Sequence, residues 1–183
     1  MDDRLREMLD HHDIRVLLSE YCHGCDRYDY LRMADTYHED SWDDHGDRKM
    51  PGKAFAAEAV GTNLHYANIC MHHLGQSLIK VDGDAAGAET YFIAFLSTTE
   101  EGKEVINQIG GRYVDKLEHR DGRWKIKHRI CVREWSLSLP VGKDWLAEQA
   151  FVRGQKSGSD VSYAVLGMEH LGYPPAAGGH AKP

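Results

Sequence analysis

Four long runs of β-branched and aromatic residues follow the first third of the chain, and they constrain the fold most strongly. Three short turn sequences separate the runs: DGD at 82–84, TEEGK at 99–103 and RDG at 120–122. Links of this length join neighbouring antiparallel strands. The pattern therefore predicts a four-strand meander over residues 72–81, 88–97, 105–118 and 124–136.

The first third of the chain is predicted to be mainly helical. Apolar side chains recur at helical spacing at Ile14, Leu17, Leu18 and Tyr21. With Asp13 as N-cap, they predict a helix that runs to about residue 28. A short helix after Asp29, a short strand around Trp42 and a helix over residues 53–66 should follow. This order predicts an α+β fold, a cone-shaped barrel of three N-terminal helices packed on a curved, mostly antiparallel sheet.

The length of 183 residues suits one domain with a substantial core. We expect this domain to span residues 1–140. Residues 141–172 would form an extension that acts as a lid or an oligomer contact. Residues 173–183, rich in Pro, Gly and Ala, would form a disordered tail.

Charge and hydropathy patterning exclude several classes of protein. The net charge of -7, with basic residues interleaved among acids, argues against binding to nucleic acid. No apolar run approaches the roughly 18 residues that span a membrane. The N-terminal sequence MDDRLREMLDHHD also lacks the apolar core of a signal peptide. We therefore expect a cytoplasmic protein without a membrane partner, in which the four cysteines remain thiols.

Cys22 and Cys25 form a C-x-x-C motif near the end of the first predicted helix. Redox motifs of this kind lie at a helix N-terminus, where the dipole stabilises the thiolate. A structural zinc site usually needs a second pair, whereas Cys70 and Cys131 stand alone in the sequence. The 12 histidines include no H-E-x-x-H motif. We therefore expect packed thiols, no metal and no cofactor.

Tyr21 and Asp26 flank the C-x-x-C motif and suggest a different chemistry. A carboxylate at a helix C-terminus faces the unfavourable end of the dipole, so it favours a cationic or proton-donating partner. The alternative is a solvated acid. A spacing of five residues places the two side chains about 140° apart around an ideal helix, so their convergence needs a bend or a helix end. Gly24 could provide it.

Strand alternation decides which of the later polar residues face the interior of the cone. Only one of His72 and His73 can do so, and we assign His73, because Gly75 on its face leaves space. On the last strand, one face carries Arg129, Cys131, Arg133 and Trp135. Arg129 could instead pair with Asp115 or Glu118 on the neighbouring strand. A bulge near Gly110 and Gly111 would change which residues face inward.

The joint order of these motifs resembles the SnoaL-like branch of the nuclear transport factor 2-like superfamily, over about residues 5–136. The motifs are Y-x-x-x-x-D at a helix end, a histidine that opens a strand, and GGRYVDKLEHRDGRWKIKHRICVREWS. Members include γ-hexachlorocyclohexane dehydrochlorinase, bile-acid 7α-dehydratase and scytalone dehydratase. The resemblance implies a cofactor-free lyase in a cone-shaped α+β barrel.

The resemblance also implies roles for individual residues. Asp26 and His73 match the catalytic dyad, and Tyr21 matches a tyrosine of the dehydratase. Arg129 matches an arginine of the dehydrochlorinase, while Arg133 matches one of the dehydratase. Expected substrate contacts are Trp42, which matches a pocket tryptophan, together with Tyr30, Cys131 and Trp135.

The expected reaction is an elimination from a hydrophobic cyclic or aromatic molecule, including lignin-derived diaryl compounds. His73 would remove a proton while Asp26 orients it, and Tyr21 with an arginine would stabilise the departing water, halide or formaldehyde. Two alternatives remain: an isomerase or cyclase, and a non-catalytic small-molecule binder. The sheet face that carries Ile126, Ile130 and Val132 could bind another copy, which predicts a homotrimer or dimer.

Overall fold

The computed structural model describes residues 2–67, 69–142, 146 and 148–175, and only the backbone of residues 63–66. The helices are α1 (Asp3–Asp26), α2 (Tyr30–Asp35), α3 (Gly52–Tyr66) and α4 (Val161–Leu166). The strands are β1 (Tyr37–His45), β2 (Arg48–Pro51), β3 (Cys70–Asp82), β4 (Ala85–Glu100), β5 (Lys103–Arg120) and β6 (Arg123–Pro140). No helix in these ranges is both long enough and apolar enough to cross a membrane.

The six strands form one sheet in the order β2-β1-β6-β5-β4-β3. Strands β3 to β6 are the predicted meander, and each pairs antiparallel with the next. The turn between β5 and β6 places Asp121 and Gly122 at φ values of 53° and 78°, a backbone that glycine accepts readily. The single strand predicted around Trp42 is a hairpin of β1 and β2, and β1 pairs parallel with β6.

The first helix begins ten residues before its predicted N-cap at Asp13. Asp2 caps it, because its carboxylate accepts a hydrogen bond from the backbone N–H of Arg4. The first turns are exposed, so no apolar periodicity marks them in the sequence. At the other end, Gly24 lies against α2, where an added Cβ would come within 2.6 Å of the backbone N of Met33. Glycine therefore permits this tight junction of α1 and α2.

The three N-terminal helices pack on one face of the curved sheet, which we call the inner face. The hydrophobic core lies between these two layers and includes Ile14, Leu18, Phe55, Val60, Leu117 and Ile126. Burial of such side chains stabilises the fold by about 1.5–3 kcal/mol each. The architecture confirms the predicted α+β class, with the sheet curved but not closed.

The described part of the C-terminal segment, residues 148–175, returns to the junction of α1 and α2. Its anchor is Asp29, a fully buried carboxylate that accepts hydrogen bonds from the Tyr163 hydroxyl and from the backbone N–H groups of Leu171 and Gly172. Helix α4 was not predicted. Within the expected extension, the sequence WLAEQAFVRG is not helical at Leu146 or over residues 148–154. Residues 143–145, 147 and 176–183 lie outside the described residues.

Candidate active site

Asp26, the last residue of α1, contacts His72 near the start of β3. One carboxylate oxygen accepts a hydrogen bond from the His72 ring Nδ1 at 2.6 Å, and the other accepts the His72 backbone N–H at 2.9 Å. The carboxylate is buried, with 7% of Asp26 exposed. Two bonds to one residue fix both the ring and the strand that carries it.

The predicted pairing of Asp26 with His73 is wrong. His73 points to the outer face of the sheet, where it lines a groove with Gly75, Tyr91 and Trp135. The physical reason is a register shift between Leu74 and Ser77. Beyond the shift, the buried residues of β3 are odd-numbered, as His73 is; before it they are even-numbered, so His72 faces inward.

The electrostatic setting of His72 favours its protonated form. Burial would lower the pKa of His72, but the hydrogen bond to Asp26, aided by the neighbouring Cys70, raises that pKa to about 10. An imidazolium formed at this position is thus stabilised by a carboxylate within hydrogen-bond distance. The neutral imidazole is correspondingly a stronger base than an exposed histidine.

Two thiols adjoin the Asp26–His72 pair. The Sγ atoms of Cys25 and Cys70 are 4.0 Å apart, and Cys70 Sγ lies 3.4 Å from Asp26 Oδ1. One ligand atom from each of Cys25, Asp26, Cys70 and His72 falls within 4.8 Å of every other. None of the four cysteines of the chain forms a disulfide. Cys70 stood alone in the sequence, and only the packing of β3 on the end of α1 brings it to the C-x-x-C motif.

Arg129 lies on the inner face of β6 and is fully buried. Its Nε and Nη2 donate to the two oxygens of Asp115 at 2.7 Å each, which confirms the cross-strand pairing weighed from sequence. The guanidinium is sandwiched between the rings of Tyr21 and Tyr113, 4.1 Å from each centroid. Its third nitrogen, Nη1, has no hydrogen-bond partner among the described residues. A buried guanidinium donor without a partner is unusual, which marks Nη1 as a candidate ligand contact.

Tyr21 links α1 to the arginine and remains a hydroxyl donor. Burial raises its pKa well above the ordinary value, against the opposing effect of Arg129. Its ring also packs edge-on against Tyr37, with centroids 6.0 Å apart. The phenol is thus held in its protonated form beside the cation.

A second buried His–Asp pair lies on β1 and was missed in the sequence. Asp43 is fully buried, and its carboxylate accepts hydrogen bonds from the hydroxyl of Tyr37 and from His45. The ring of His45 stacks on Phe55 of α3, with centroids 4.0 Å apart. The signal was present as alternation, since Asp43 and His45 are two residues apart in a strand. The surrounding segment SWDDHGDRKMPG is polar and turn-rich, so that only one short strand, around Trp42, is predicted there.

Of the expected substrate contacts, Trp42 does not lie on the inner face of the sheet. It is 45% exposed, because its neighbours Ser41 and Asp43 take the buried positions of β1. Cys131 does face inward, where burial raises the pKa of its thiol to about 12. Tyr30, the first residue of α2, is partly buried against the core.

Arg133 and Trp135 do not continue the inner face of β6. Both are exposed, and Arg133 donates to the hydroxyl of Ser136. The pairing of β5 with β6 shifts register between Gly110 and Gly111, which is the bulge that the glycine pair suggested. Arg129 is therefore the arginine that the fold places inside.

Solved structures share this architecture at low sequence identity. A scytalone dehydratase-like protein from Novosphingobium aromaticivorans has a TM-score of 0.65 and 19% identity, over 74% of this chain and 91% of that one. A hexachlorocyclohexane dehydrochlorinase from Novosphingobium barchaimii has a TM-score of 0.65 and 19% identity, over 82% and 99%. A protein assigned as the beta subunit of an aromatic-ring-hydroxylating dioxygenase from N. aromaticivorans has a TM-score of 0.57 and 20% identity, over 70% and 92%. These similarities show a common fold.

Sequence comparison gives the family. No curated protein matches the chain. The profile of the SnoaL-like domain, by contrast, matches residues 6–130, more than half of the chain and every strand up to the middle of β6. The chain therefore belongs to the SnoaL-like domain family, within the nuclear transport factor 2-like superfamily.

Proposed function

We propose that this protein is a cofactor-independent lyase that eliminates a small leaving group from a hydrophobic cyclic or aromatic molecule. The observation that carries the proposal is the buried His72–Asp26 pair, on the same inner face as an arginine with one unpaired donor. A base and an electrophilic stabiliser are the two groups that an elimination needs.

In this mechanism the neutral form of His72 is the general base, so its active fraction rises as the pH approaches the raised pKa of His72, about 10. Nδ1 is engaged with Asp26, so Nε2 takes the proton from a carbon or a hydroxyl of the substrate. Asp26 fixes the tautomer and stabilises the imidazolium that results. General base catalysis of this kind contributes about 10²- to 10⁴-fold to the rate.

Arg129 and Tyr21 act on the other end of the broken bond. When a C–H proton is removed, the electron pair of that bond forms the new double bond and expels hydroxide or halide, whose negative charge develops near Nη1 of Arg129. When an O–H proton is removed, the electron pair of that bond forms the C=O of formaldehyde, the C–C bond breaks, and Arg129 stabilises the negative charge left on the remaining fragment. Tyr21 adds a neutral O–H donor, since its raised pKa keeps the phenol protonated. Water, halide and formaldehyde all fit this constellation, and the solved relatives are named for a dehydratase and a dehydrochlorinase.

An isomerase is the second candidate, and the Asp43–His45 pair favours it. A second imidazole–carboxylate pair on the inner face could return the proton to another atom of the substrate. A non-catalytic binder is the third, because the fold alone does not dictate chemistry. It predicts ligand binding without turnover.

The net charge and the exposed apolar side chains of the protein support proposals for its location, its partners and its oligomeric state. We propose a cytoplasmic protein that binds a small hydrophobic substrate and no nucleic acid, consistent with its net charge of -7. Exposed apolar side chains on β6, Ile130, Trp135 and Leu137, support a homotrimer or dimer.

A turnover assay with a matched pair of variants tests the proposal. EDTA-treated wild type, His72→Ala and His73→Ala would be assayed against cyclic alcohols, haloalkanes and diaryl diols, with detection of water elimination, halide and formaldehyde. We expect turnover in wild type and His73→Ala and its loss in His72→Ala. Activity retained in His72→Ala would overturn the mechanism. Substrate isomerisation without a released group would instead favour the second candidate.

A further inference from the structure

We propose that Cys25, Asp26, Cys70 and His72 together bind one zinc ion. Zinc binding itself is independent of the lyase proposal. Its consequence, a reversible block of the His72 base, rests on that proposed function. The site joins the second cysteine of the C-x-x-C motif at the end of α1 to two alternate residues of β3.

The spacing of the ligand atoms suits a tetrahedral ion. Zn–S bonds of about 2.3 Å at the tetrahedral angle place two sulfurs about 3.8 Å apart. The Sγ atoms of Cys25 and Cys70 are 4.0 Å apart, and Cys70 Sγ is 3.4 Å from Asp26 Oδ1. The Nδ1–Oδ1 distance of 2.6 Å must increase, to about 3.3 Å, when the ion replaces the proton between His72 and Asp26, and the remaining pairs of ligand atoms lie within 4.8 Å of each other.

The donor set selects for a soft or borderline cation. Two thiolates and an imidazole favour zinc or cadmium, whereas magnesium and calcium require oxygen ligands. All four residues come from the regular ends of two packed elements, so the site is preorganised. Binding would release one proton from each thiol and the proton shared by His72 and Asp26, because an ion-bound thiol is deprotonated. The occupied site would carry a net charge of -1, as a Cys₃His zinc site does.

Zinc and base catalysis exclude each other at this site. A zinc ion on Nδ1 takes the place of the proton that His72 shares with Asp26, and it withdraws electron density from Nε2. The imidazole then loses its basicity, and Asp26 no longer stabilises an imidazolium. The metal-free protein is the active form, and zinc holds it inactive.

Direct metal titration of the reduced, full-length protein tests binding without any substrate. We expect one equivalent of Co²⁺ to give the visible bands of tetrahedral cobalt. One equivalent of Cd²⁺ should give the ultraviolet band of cadmium thiolate. Zn²⁺ should displace both ions with a stoichiometry of one. Cys25→Ser and Cys70→Ser should each weaken zinc binding by about 100-fold or more, while Cys131→Ser, outside the cluster, should bind as wild type does.

Several outcomes would overturn the site. They are the absence of a thiolate band in wild-type protein that is reduced and folded, a stoichiometry above one that survives Cys70→Ser, and full affinity in both serine variants. A disulfide between Cys25 and Cys70 in protein kept under reductant would also overturn it. Wild-type cadmium spectra give a result even where a variant fails to fold.

The inhibitory role has its own readout. If EDTA-treated protein turns over a substrate, equimolar zinc should abolish that turnover in wild type and not in Cys70→Ser. Turnover that requires zinc would overturn the inhibitory role while the site stands. A protein that binds zinc through both cysteines but never turns over would retain the metal site and lose the lyase proposal.

Discussion

Asp26 holds His72 at two points, with one carboxylate oxygen on the ring Nδ1 and the other on the backbone N–H of the same residue. The end of α1 is thereby attached to the start of β3 through Asp26 and His72, the two residues proposed to act in catalysis. Orientation of the base and attachment of the strand are thus one interaction. Any change at Asp26 should affect both.

Asp26→Asn should separate orientation from charge. The asparagine can still accept the backbone N–H of His72, but it can no longer stabilise an imidazolium. We expect kcat to fall by about 10²-fold or more, with the fold retained. Steady-state kinetics and circular dichroism measure the two effects. A kcat within a few-fold of wild type would show that Asp26 acts only as a tether.

Replacement of Arg129 alone should destabilise the protein more than replacement of both Arg129 and its partner Asp115. Arg129→Met leaves the buried Asp115 carboxylate unpaired, which costs about 3–5 kcal/mol of unfolding free energy. The double variant Arg129→Met with Asp115→Leu should recover most of that loss, because no unpaired charge remains. Urea unfolding measures both. Neither variant should turn over substrate; a double variant no more stable than the single one would contradict the ion-pair account.

The attachment of the C-terminal segment should weaken in acid through Asp160. Burial alone would raise the pKa of Asp160, but hydrogen bonds from Ser162 and from the backbone N–H of Gln155, with Arg27 nearby, lower it to about 2. A lowered pKa stabilises the fold above the unfolded value of about 3.9, and this contribution disappears as the pH falls toward 2. In urea unfolding at pH 6, the free energy of unfolding of wild type should exceed that of Asp160→Asn by about 1–2 kcal/mol. The difference should vanish by about pH 2; a constant difference would exclude ionisation as its cause.

Gly24→Ala and Gly87→Ala form a matched pair for the junction of α1 and α2. A Cβ at Gly24 would lie 2.6 Å from the backbone N of Met33, whereas a Cβ at Gly87 meets no atom within 4 Å. We expect Gly24→Ala to lose about 1–3 kcal/mol of unfolding free energy through overpacking. Gly87→Ala should change stability little or raise it slightly. Chemical denaturation compares them, and equal effects would argue against the tight junction.

The sheet was predictable because its signals are local. Gly83, Gly102 and Gly122 mark hairpin turns with positive φ, and such turns fix which residues of adjacent strands oppose each other. The Asp115–Arg129 pair follows from that register, since the two residues are direct partners across β5 and β6. The sequence therefore predicted the meander, and it offered a pair of Arg129 with Asp115 or Glu118 as an alternative, of which the structure has the pair with Asp115.

The site was harder to predict because its decisive features are long-range or irregular. The register shift between Leu74 and Ser77 exchanges the faces of β3. Gly75 lies within this shift and is its signal in the sequence, but it was interpreted as space in front of His73. The approach of Cys70 to Cys25 depends on how β3 packs on α1, 45 residues away along the chain. The extended first helix was missed for a simpler reason, since exposed turns carry no hydrophobic period.

The hydrogen bonds of the buried Asp29 constrain the order in which parts of the molecule can fold during synthesis. Its carboxylate receives the N–H of Leu171, 142 residues later in the chain. During translation the helices and the sheet leave the ribosome well before these donors do. Asp29, three residues after the end of α1 at Asp26, therefore lacks these hydrogen bonds at first, and the surroundings of the proposed base are completed by a segment that is synthesised 142 residues after Asp29.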